Sequence, residues 1–329
     1  MPLPLVSVAL AVHNGENYLA EALDSVLAQT HPHWELVASE NCSTDATPTI
    51  LDDYSRRDAR IRWSRTDRLI PGYENVNRAM SLCRGAWIRP LCHDDQLKPH
   101  CLERTAAAVT ERPGANVGLV GNYVEYLFDN GYREPSGTAA DPAPRHYHGR
   151  DFLRTALSRG APDPLPSLSD ATVRKDVWQR LGRFNASLSH ADTFLWHRVL
   201  VDHDLVVIPE SLTVIRVRAG QGTAIVRKNL NSIREYRQFF PEFVRAHGRA
   251  LGLPWTARVR TSIRHLSVAA TAIVISLAKG NYRQATEVVR QVPIVWLPVV
   301  AGLCVRNFRS EWRRLREMRR HVPLNLLYP

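Results

Sequence analysis

Cysteine is scarce in this sequence, and its pattern excludes two classes of small, cross-linked domain. The 329 residues include five cysteines, an odd and scattered set with no CxxC pair. This pattern argues against a secreted disulfide scaffold and against a structural zinc site, and it favours a reducing compartment such as the cytoplasm. A chain of this length also buries enough apolar surface to fold without such cross-links.

Three short motifs of nucleotide and hydrolase chemistry are also missing. No GxGxxG follows the first apolar run, so a nicotinamide or flavin dinucleotide site is not supported. No GxxxxGK[ST] is present, which argues against a Walker-type phosphate loop. No GxSxG nucleophile elbow is present either. Any nucleotide chemistry in this chain therefore has to use other residues.

Long hydrophobic runs are not found where a membrane span would need them. The apolar stretches 266–278 and 292–305 have 13 and 14 residues, whereas a helix needs about 20 to cross a bilayer. At the amino terminus, no basic residue precedes the first apolar run and no small-residue cleavage site follows it. We therefore expect that run to be a first strand and not a signal peptide.

The net charge of +11 is concentrated in the last quarter of the chain. Residues 1–240 hold 28 basic and 28 acidic side chains, whereas residues 241–329 hold 15 basic and 4 acidic ones. Seven arginines lie in 306–320, among aromatic and aliphatic residues. This pattern predicts a helix that lies on an anionic membrane surface, here the inner face of the cell membrane.

Two other interpretations of this basic segment compete with membrane binding. A buried core helix followed by a solvated basic face is the structural alternative. Nucleic acid is the other polyanion that a basic segment binds. We do not expect a nucleic-acid partner, because the apolar residues of 266–305 would then have no evident role.

The first 125 residues alternate between apolar runs of strand length and amphipathic runs of helical period. The apolar runs predict strands, and the amphipathic runs predict helices. The predicted strands are 5–12, 34–39, 61–64, 86–91 and 116–120, and the predicted helices are 16–29, 45–57, 73–83 and 99–110. This alternation predicts an α/β fold in which a mostly parallel central sheet is flanked by helices.

Three polar loops follow predicted strands, at 13–15, 40–45 and 92–95. The carboxyl ends of parallel strands form the edge where such sheets bind ligands, so we expect these loops to share one crevice. Asp94 and Asp95 in the last loop are hard oxygen ligands suited to Mg²⁺ or Mn²⁺ bound with substrate phosphates. An Asp-Asp pair before a helix is more often a cap, but its position at this edge favours a metal site.

Three stretches of the chain resemble family 2 glycosyltransferases, which have the GT-A fold. Residues 6–51, which begin VSVALAVHNG, are similar to the family's amino-terminal segment. Residues 75–103, with the sequence CHDD, resemble the stretch that holds its DxD-type metal motif. Residues 182–218 are similar to the segment that holds its catalytic base. The resemblance covers about 5–125 and 167–218, and it does not extend over 219–329.

The resemblance implies a division of the chain into three parts. Residues 1–125 would form the nucleotide-sugar-binding half of a GT-A domain, and 126–218 the acceptor-side half with the catalytic base. Residues 219–329 would form a helical, basic and partly apolar segment that associates with the membrane.

The resemblance also implies roles for individual residues. The metal ligands would be Asp95 and Asp94. Asn41 occupies the place where the family usually has an aspartate that reads the base; an amide both donates and accepts, so Asn41 can still bind an imide edge. Cys92 stands where many members have a further aspartate. The residues expected to contact the donor are Val12, His13, Asn14, Glu40, Asn41 and Asp94. Apart from the resemblance, Asn77 lies on the predicted helix 73–83 that enters the site, and it is expected to contact the diphosphate; an ordinary amphipathic helix is the alternative.

Asp192 matches the carboxylate that deprotonates the acceptor hydroxyl in this family. Displacement with inversion at the anomeric carbon requires the incoming hydroxyl to lose its proton, and a positioned carboxylate accepts it. The alternative is that Asp192 only caps a helix over 193–203, as aspartates often do.

Together these features predict an inverting, metal-dependent glycosyltransferase. It would use a nucleoside-diphosphate sugar donor and a glycan or lipid-linked hydroxyl acceptor, in the synthesis of surface glycans. One alternative is a sugar nucleotidyltransferase, although the glycine-rich, basic phosphate loop usual in that class is missing after the first strand. The other alternative is a catalytically degenerate protein that only binds nucleotide sugars, a possibility raised by Asn41 and Cys92.

Overall fold

In the computed structural model, the described residues fall into two compact units. The first lies within 1–127, 133–153 and 164–216, and the second within 128–132, 154–163 and 217–329. The structure describes residues 3–111, 115–137, 143–159, 165–218, 231–262, 264–278, 282–290, 292, 300, 301 and 304.

The first unit begins with strands and helices in strict alternation. These elements are β1 (Val6–Val12), α1 (Leu19–Leu27), β2 (Trp34–Glu40), α2 (Thr47–Arg57), β3 (Ile61–Arg65), α3 (Gly72–Leu82) and β4 (Trp87–Cys92). Every residue of β2 is buried, and so is all of β1 except one position. Strands buried on both faces are near-continuous apolar runs, which is why they are visible in the sequence.

The four strands lie in the order β3-β2-β1-β4, and the pairs β2–β3, β1–β2 and β1–β4 are parallel. The register places Val12 opposite Glu40 and Ala11 opposite Cys92. The polar loops after β1, β2 and β4 therefore leave the same edge of the sheet. The strand order reverses at β1, and such a switch point is where open α/β sheets bind ligands.

The first unit continues with ten further elements: β5 (Gln96–Leu97), α4 (Cys101–Thr110), β6 (Val117–Phe128), β7 (Arg133–Pro135), β8 (Arg145–Tyr147), α5 (Gly149–Arg159), β9 (Ala171–Arg174), α6 (Lys175–Arg180), α7 (Ala191–Asp202) and β10 (Asp204–Val217). Antiparallel strands extend the sheet beyond β4, in the order β4-β9-β6-β10-β5. The pairs β4–β9, β6–β9 and β5–β10 are antiparallel. The prediction of a helix-flanked α/β sheet is confirmed, with its parallel part formed by β1 to β4.

The second unit is helical where it is described after β10. Its helices are α8 (Asn231–His247), α9 (Trp255–Ser262), α10 (Arg264–Ala278) and α11 (Tyr282–Arg290). Leu266, Ala269 and Ala270 of α10 are fully buried, in a core shared with Ile233 and Val288. The apolar run 266–278 thus contributes to the core of its own unit.

The membrane prediction extends beyond the described residues. The basic segment 306–320 and most of the apolar run 292–305 lie outside them. Among the helices that are described, none combines the length and apolar character that crossing a bilayer requires.

Candidate active site

A tight acidic turn follows β4 at the carboxyl edge of the sheet. The ligand atoms of Cys92, Asp94 and Asp95 lie within 4.8 Å of one another, and the two aspartates are only 5% and 3% exposed. The backbone N–H of Asp95 donates to the carbonyl oxygen of Cys92 at 3.1 Å, which closes the turn. The sequence-predicted metal ligands are therefore adjacent and buried.

Two residues from distant parts of the sequence fix the Asp95 carboxylate. The Ser169 hydroxyl donates to Oδ2 at 2.6 Å and accepts from the backbone N–H of Cys92 at 3.1 Å. The backbone N–H of Arg216, on β10, donates to Oδ1 at 3.0 Å. Because both oxygens are held, the carboxylate has little freedom to rotate.

Burial and the neighbouring charge of Asp94 raise the pKa of Asp95 to about 7, while the hydrogen bonds from Ser169 and Arg216 lower it. A carboxyl group with this pKa favours a nearby cation, because a bound cation stabilises the ionised form. Two carboxylates offer the hard oxygen ligands that Mg²⁺ and Mn²⁺ prefer. The residues of the turn therefore fit such an ion.

Cys92 does not add a third anionic ligand. Burial raises the pKa of its thiol well above the usual value, and the charges of Asp95, Asp94 and Asp192 raise it further. The sulfur therefore remains a neutral thiol, and soft sulfur is a poor partner for Mg²⁺.

The side chain of Arg216 lies beside the acidic turn. Its Nε donates to the backbone oxygen of Asp94 at 3.3 Å, and its Nη2 donates to the Glu21 carboxylate on α1 at 2.6 Å. The guanidinium also stacks over the Tyr18 ring, with 4.5 Å between Cζ and the ring centroid. Arg216 thus connects the end of β10 to both the turn and α1.

The loops after β1 and β2 are tied together by Asn14. Its backbone N–H donates to the Ser43 hydroxyl at 2.9 Å, and its side-chain oxygen accepts from the backbone N–H of Thr44 at 2.9 Å. Asn14 has a φ of 49° and Cys42 a φ of 53°, in the left-handed region that few non-glycine residues adopt. Both loops are therefore held in specific, constrained conformations.

Gly15 allows the loop after β1 to approach the acidic turn. A Cβ atom at this position would lie 2.6 Å from Cγ2 of Val12 and 2.9 Å from Cδ2 of His93. Val12 is buried, whereas His13 is exposed and its Nδ1 is hydrogen-bonded to the backbone oxygen of Asn41 at 2.7 Å. The predicted donor residues of this loop thus lie at the carboxyl edge of the parallel strands.

Glu40 and Asn41 hold the loop after β2. Glu40 is fully buried, its carboxylate accepts from the backbone N–H of Ser43, and it forms an ion pair with Nε of Arg65 at 3.2 Å. The Asn41 amide donates to the backbone oxygen of Ile70 and accepts from its N–H, both at 2.9 Å. An aspartate at position 41 has no N–H to donate, so only the amide makes both bonds.

Asn77 is engaged with a distant backbone segment. Its Nδ2 donates to the backbone oxygen of Phe184 at 2.7 Å, and its Oδ1 accepts from the Phe184 N–H at 3.1 Å. The suggestion that Asn77 contacts the diphosphate stays a prediction, alongside this structural role.

Asp192 lies in the first turn of α7. The helix begins at Ala191 and His190 occupies the N-cap position, so Asp192 is not the cap residue that the alternative required. Burial raises the pKa of Asp192, while hydrogen bonds from the Thr193 backbone and from Tyr73 lower it, as does the charge of His190. Its charge also acts on Cys92, so Asp192 and the acidic turn lie in the same region.

Ser169, Arg216 and Tyr73 belong to this site but were not singled out in the sequence. Ser169 precedes a buried aspartate immediately before β9, and that Ser-Asp pair at the start of an apolar strand was the available signal. For Tyr73 the available signal was its spacing from Asn77, because residues four apart share one helix face. For Arg216 the sequence offers no comparable signal, since many arginines end strands without a role in a site.

The parallel half of the sheet, its switch point and the acidic turn define a GT-A-type glycosyltransferase fold. Residues 7–168 match the family described as Glycosyl transferase family 2, and this region of the chain belongs to that family. The fold is similar to that of S. aureus TarS 1–349 in complex with UDP-GlcNAc, at a TM-score of 0.56 and 16% identity over 95% of this chain and 92% of that one.

A second solved structure shares this fold. It is the mannosyltransferase PcManGT from Pyrobaculum calidifontis in complex with GDP-Man and Mn²⁺, with a TM-score of 0.55 and 18% identity. The similarity covers 95% of this chain and 88% of that one.

Several curated relatives are named as glycosyltransferases, and several of the matches are partial. A putative teichuronic acid biosynthesis glycosyltransferase of Bacillus subtilis, TuaG, is 35% identical over 109 residues, which is 33% of this chain and 43% of the relative. The chondroitin synthase of Escherichia coli is 27% identical over 260 residues, which is 71% of this chain and 36% of the relative. The matched regions thus span less than half the length of each of these two relatives.

Proposed function

We propose that this protein is an inverting glycosyltransferase that transfers a sugar from a nucleoside-diphosphate sugar to a hydroxyl acceptor. The observation that carries the proposal is electrostatic and spatial. Asp192 lies close enough to the turn holding Asp94 and Asp95 that its charge raises the pKa of Cys92. A base and a diphosphate site in one region are what a single displacement at an anomeric carbon needs.

On the donor side, Asp94 and Asp95 would hold Mg²⁺ or Mn²⁺. When bound, a divalent cation neutralises charge on the leaving diphosphate. Ser169 and Arg216 hold the Asp95 carboxylate in place for this role. The mannosyltransferase with the same fold is described with GDP-Man and Mn²⁺, which supports this donor class. The remaining donor contacts are assigned to Val12, His13, Asn14, Glu40, Asn41 and Asn77.

On the acceptor side, Asp192 would accept the proton of the incoming hydroxyl. Burial raises the pKa of its carboxyl group, which makes it a stronger base than an exposed aspartate. We assign donor binding to residues 1–125, the acceptor side to residues 126–218, and membrane association to residues 219–329.

The acceptor is proposed to be a glycan or a lipid-linked glycan at the cytoplasmic membrane surface. Relatives named for teichuronic acid biosynthesis and chondroitin synthesis support a polymeric acceptor. In the second unit, Trp255 is 75% exposed and Tyr282 is 70% exposed, and residues 241–329 hold the whole positive excess. Exposed aromatic rings together with basic charge favour an anionic lipid surface.

The activity is tested by identifying the donor and then removing the base. A thermal-shift panel of UDP-, GDP- and dTDP-sugars with and without Mn²⁺ should reveal a donor that raises the melting temperature. Asp192→Asn should then abolish transfer and leave that shift nearly unchanged. Asp202→Asn is the matched control, because Asp202 is an exposed carboxylate on the same helix.

Three outcomes would contradict this assignment. Full activity of Asp192→Asn would remove Asp192 from the mechanism. Undiminished sugar transfer in the presence of a chelator would show that the reaction does not need a metal ion. Release of inorganic diphosphate in place of a nucleoside diphosphate would identify a nucleotidyltransferase.

Membrane binding is tested separately with the full chain. Co-sedimentation with phosphatidylglycerol vesicles should exceed that with phosphatidylcholine vesicles and should weaken as salt increases. Trp255→Ala should reduce it. Equal recovery with both lipids would contradict an electrostatic membrane interaction.

A further inference from the structure

The backbone pairing of β4 with β9 stops before it reaches the acidic turn. Among the described residues these strands pair at two positions, and the pair nearer the turn joins Ile88 to Val173. Each further step of an antiparallel ladder moves one residue forward on one strand and one back on the other, so Thr172 lies at the register position opposite Arg89. There Nη1 of Arg89 donates to the Thr172 hydroxyl at 2.9 Å. A side-chain bond thus continues the pairing where the backbone ladder ends.

The same register leads to the acidic turn. Three further steps bring Ser169 opposite Cys92, and the backbone N–H of Cys92 donates to the Ser169 hydroxyl at 3.1 Å. That hydroxyl in turn donates to Oδ2 of Asp95 at 2.6 Å. Ser169 therefore contacts the turn from a position that depends on how the start of β9 is held against β4.

Arg89 is also bonded to β10, the strand that supplies the second partner of Asp95. Its Nη2 donates to the Thr213 hydroxyl at 2.9 Å and to the side-chain oxygen of Asn122 on β6. Thr213 lies three residues before Arg216, whose backbone N–H donates to Oδ1 of Asp95 at 3.0 Å. One guanidinium is therefore bonded to both strands that adjoin the partners of Asp95.

The charge of Arg89 has a buried counterpart close to Ser169. Arg89 is fully buried, and a buried charge is costly unless it is paired and hydrogen-bonded. Burial raises the pKa of Asp170 to about 6, while hydrogen bonds from Ser167 and the charge of Arg89 lower it. Arginine presents five donors in a planar fork, which lets one side chain bond to three other strands, whereas lysine presents a single point charge.

We propose that Arg89 is a positioning residue for the acidic turn, which keeps Ser169 and the backbone N–H of Arg216 directed at the Asp95 carboxylate. This inference rests on the proposed role of Asp95 as a metal ligand. Arg89 acts through β9 and β10 and not by contact with the metal ion or the donor. When its bond to β9 is lost, Ser169 should move away from the turn and the carboxylate should gain freedom to rotate.

The test removes the acceptor of Arg89 on β9 and, separately, the arginine fork. Thr172→Val deletes the hydroxyl and keeps nearly the same side-chain shape, and Arg89→Lys keeps the charge and loses the fork. The matched control is Thr105→Val. Thr105 is as fully buried as Thr172, but its hydroxyl bonds to the Cys101 backbone oxygen within α4, at 2.8 Å.

Hydrogen exchange of the Cys92 amide measures the contact directly, because that N–H is bonded to Ser169. In full-length protein labelled with ¹⁵N-cysteine, Cys92→Ser identifies its signal among those of the five cysteines. Its exchange should become about tenfold faster in Thr172→Val and in Arg89→Lys. The amide of buried Cys83, at the end of α3, should change little, and Thr105→Val should leave the Cys92 amide unchanged. Equal acceleration of the Cys92 and Cys83 amides, or an unchanged Cys92 amide, overturns the inference.

Titration with Mn²⁺ separates this inference from the proposed activity. Thr172→Val should weaken Mn²⁺ binding, and it should weaken binding no further in a Ser169→Ala background, because both changes remove the same contact. Additive losses of affinity overturn the inference. If the unmodified protein binds no Mn²⁺, the proposed metal role fails, and exchange of the Cys92 amide still decides whether Arg89 positions Ser169.

Discussion

Replacing Ser169 by alanine should weaken metal binding in a way that depends on pH. The substitution removes the 2.6 Å hydrogen bond to Oδ2 of Asp95 and leaves the bond from Arg216. A hydrogen bond to a charged group contributes about 1.5 kcal/mol, which corresponds to about one pKa unit. The pKa of Asp95, about 7 in the metal-free protein, should therefore rise toward about 8.

The size of the defect follows from the ionised fraction of Asp95. At pH 7 that fraction falls from about one half to about one in eleven, so apparent Mn²⁺ affinity should fall about fivefold. The deficit should approach about tenfold at pH 6 and nearly vanish at pH 9. Isothermal titration with Mn²⁺ at the three pH values measures it. Ser211→Ala, which removes a hydroxyl bonded to the Val124 carbonyl, is the control.

The reasoning would be refuted by a Ser169→Ala deficit that is the same at pH 6 and pH 9. Such a result would mean that the serine acts on the shape of the turn and not on the charge of Asp95. An affinity equal to that of the unmodified protein at every pH would remove Ser169 from the site.

Three further predictions concern neighbouring residues. Gly15→Ala should lower the free energy of unfolding by about 1–3 kcal/mol, because its Cβ would meet Val12 at 2.6 Å and His93 at 2.9 Å; Gly72→Ala, with open space around it, is the control in a denaturant titration. Asn77→Ala should raise the donor KM in steady-state kinetics, because Asn77 is assigned a donor contact; a lowered kcat with an unchanged KM would leave only its structural bonds to Phe184. Asp95→Asn should raise the metal-free melting temperature at pH 8 and remove the shift that Mn²⁺ causes. Because the pKa of Asp95 is raised in the folded protein, its ionisation lowers the free energy of unfolding as pH rises from about 4 to 7. An unchanged melting temperature would contradict this.

The parallel half of the fold could be predicted from sequence because its physics is local. A strand buried on both faces must be apolar throughout, and the helices between such strands show their buried face by period. The predicted strand 34–39 and helix 73–83 differ by one residue at their ends from Trp34–Glu40 and Gly72–Leu82. The predicted strand 116–120 ended too early, since β6 continues to Phe128 through alternating polar positions that resemble a loop.

Only those site residues that directly follow a predicted strand could be placed from the sequence. Asp94 and Asp95 directly end β4, so their position at the sheet edge followed from the alternation alone. The partners of Asp95 did not, because Ser169 and Arg216 reach it only when β9 pairs with β4 and β10 pairs with β5. Asn41 shows the same limit: its substitution for an acidic residue was visible, but its two bonds to Ile70 depend on where the following loop folds.

The neutral thiol of Cys92 determines the total charge of the acidic turn. With the sulfur protonated, the turn carries at most two negative charges, from Asp94 and Asp95, and one divalent cation balances them. A carboxylate in place of the thiol would leave a surplus anion facing the proposed donor, whose diphosphate is itself negatively charged. Under the proposed function, a cysteine at this position would therefore let a single divalent cation contact both the turn and the donor without an unbalanced charge in the turn.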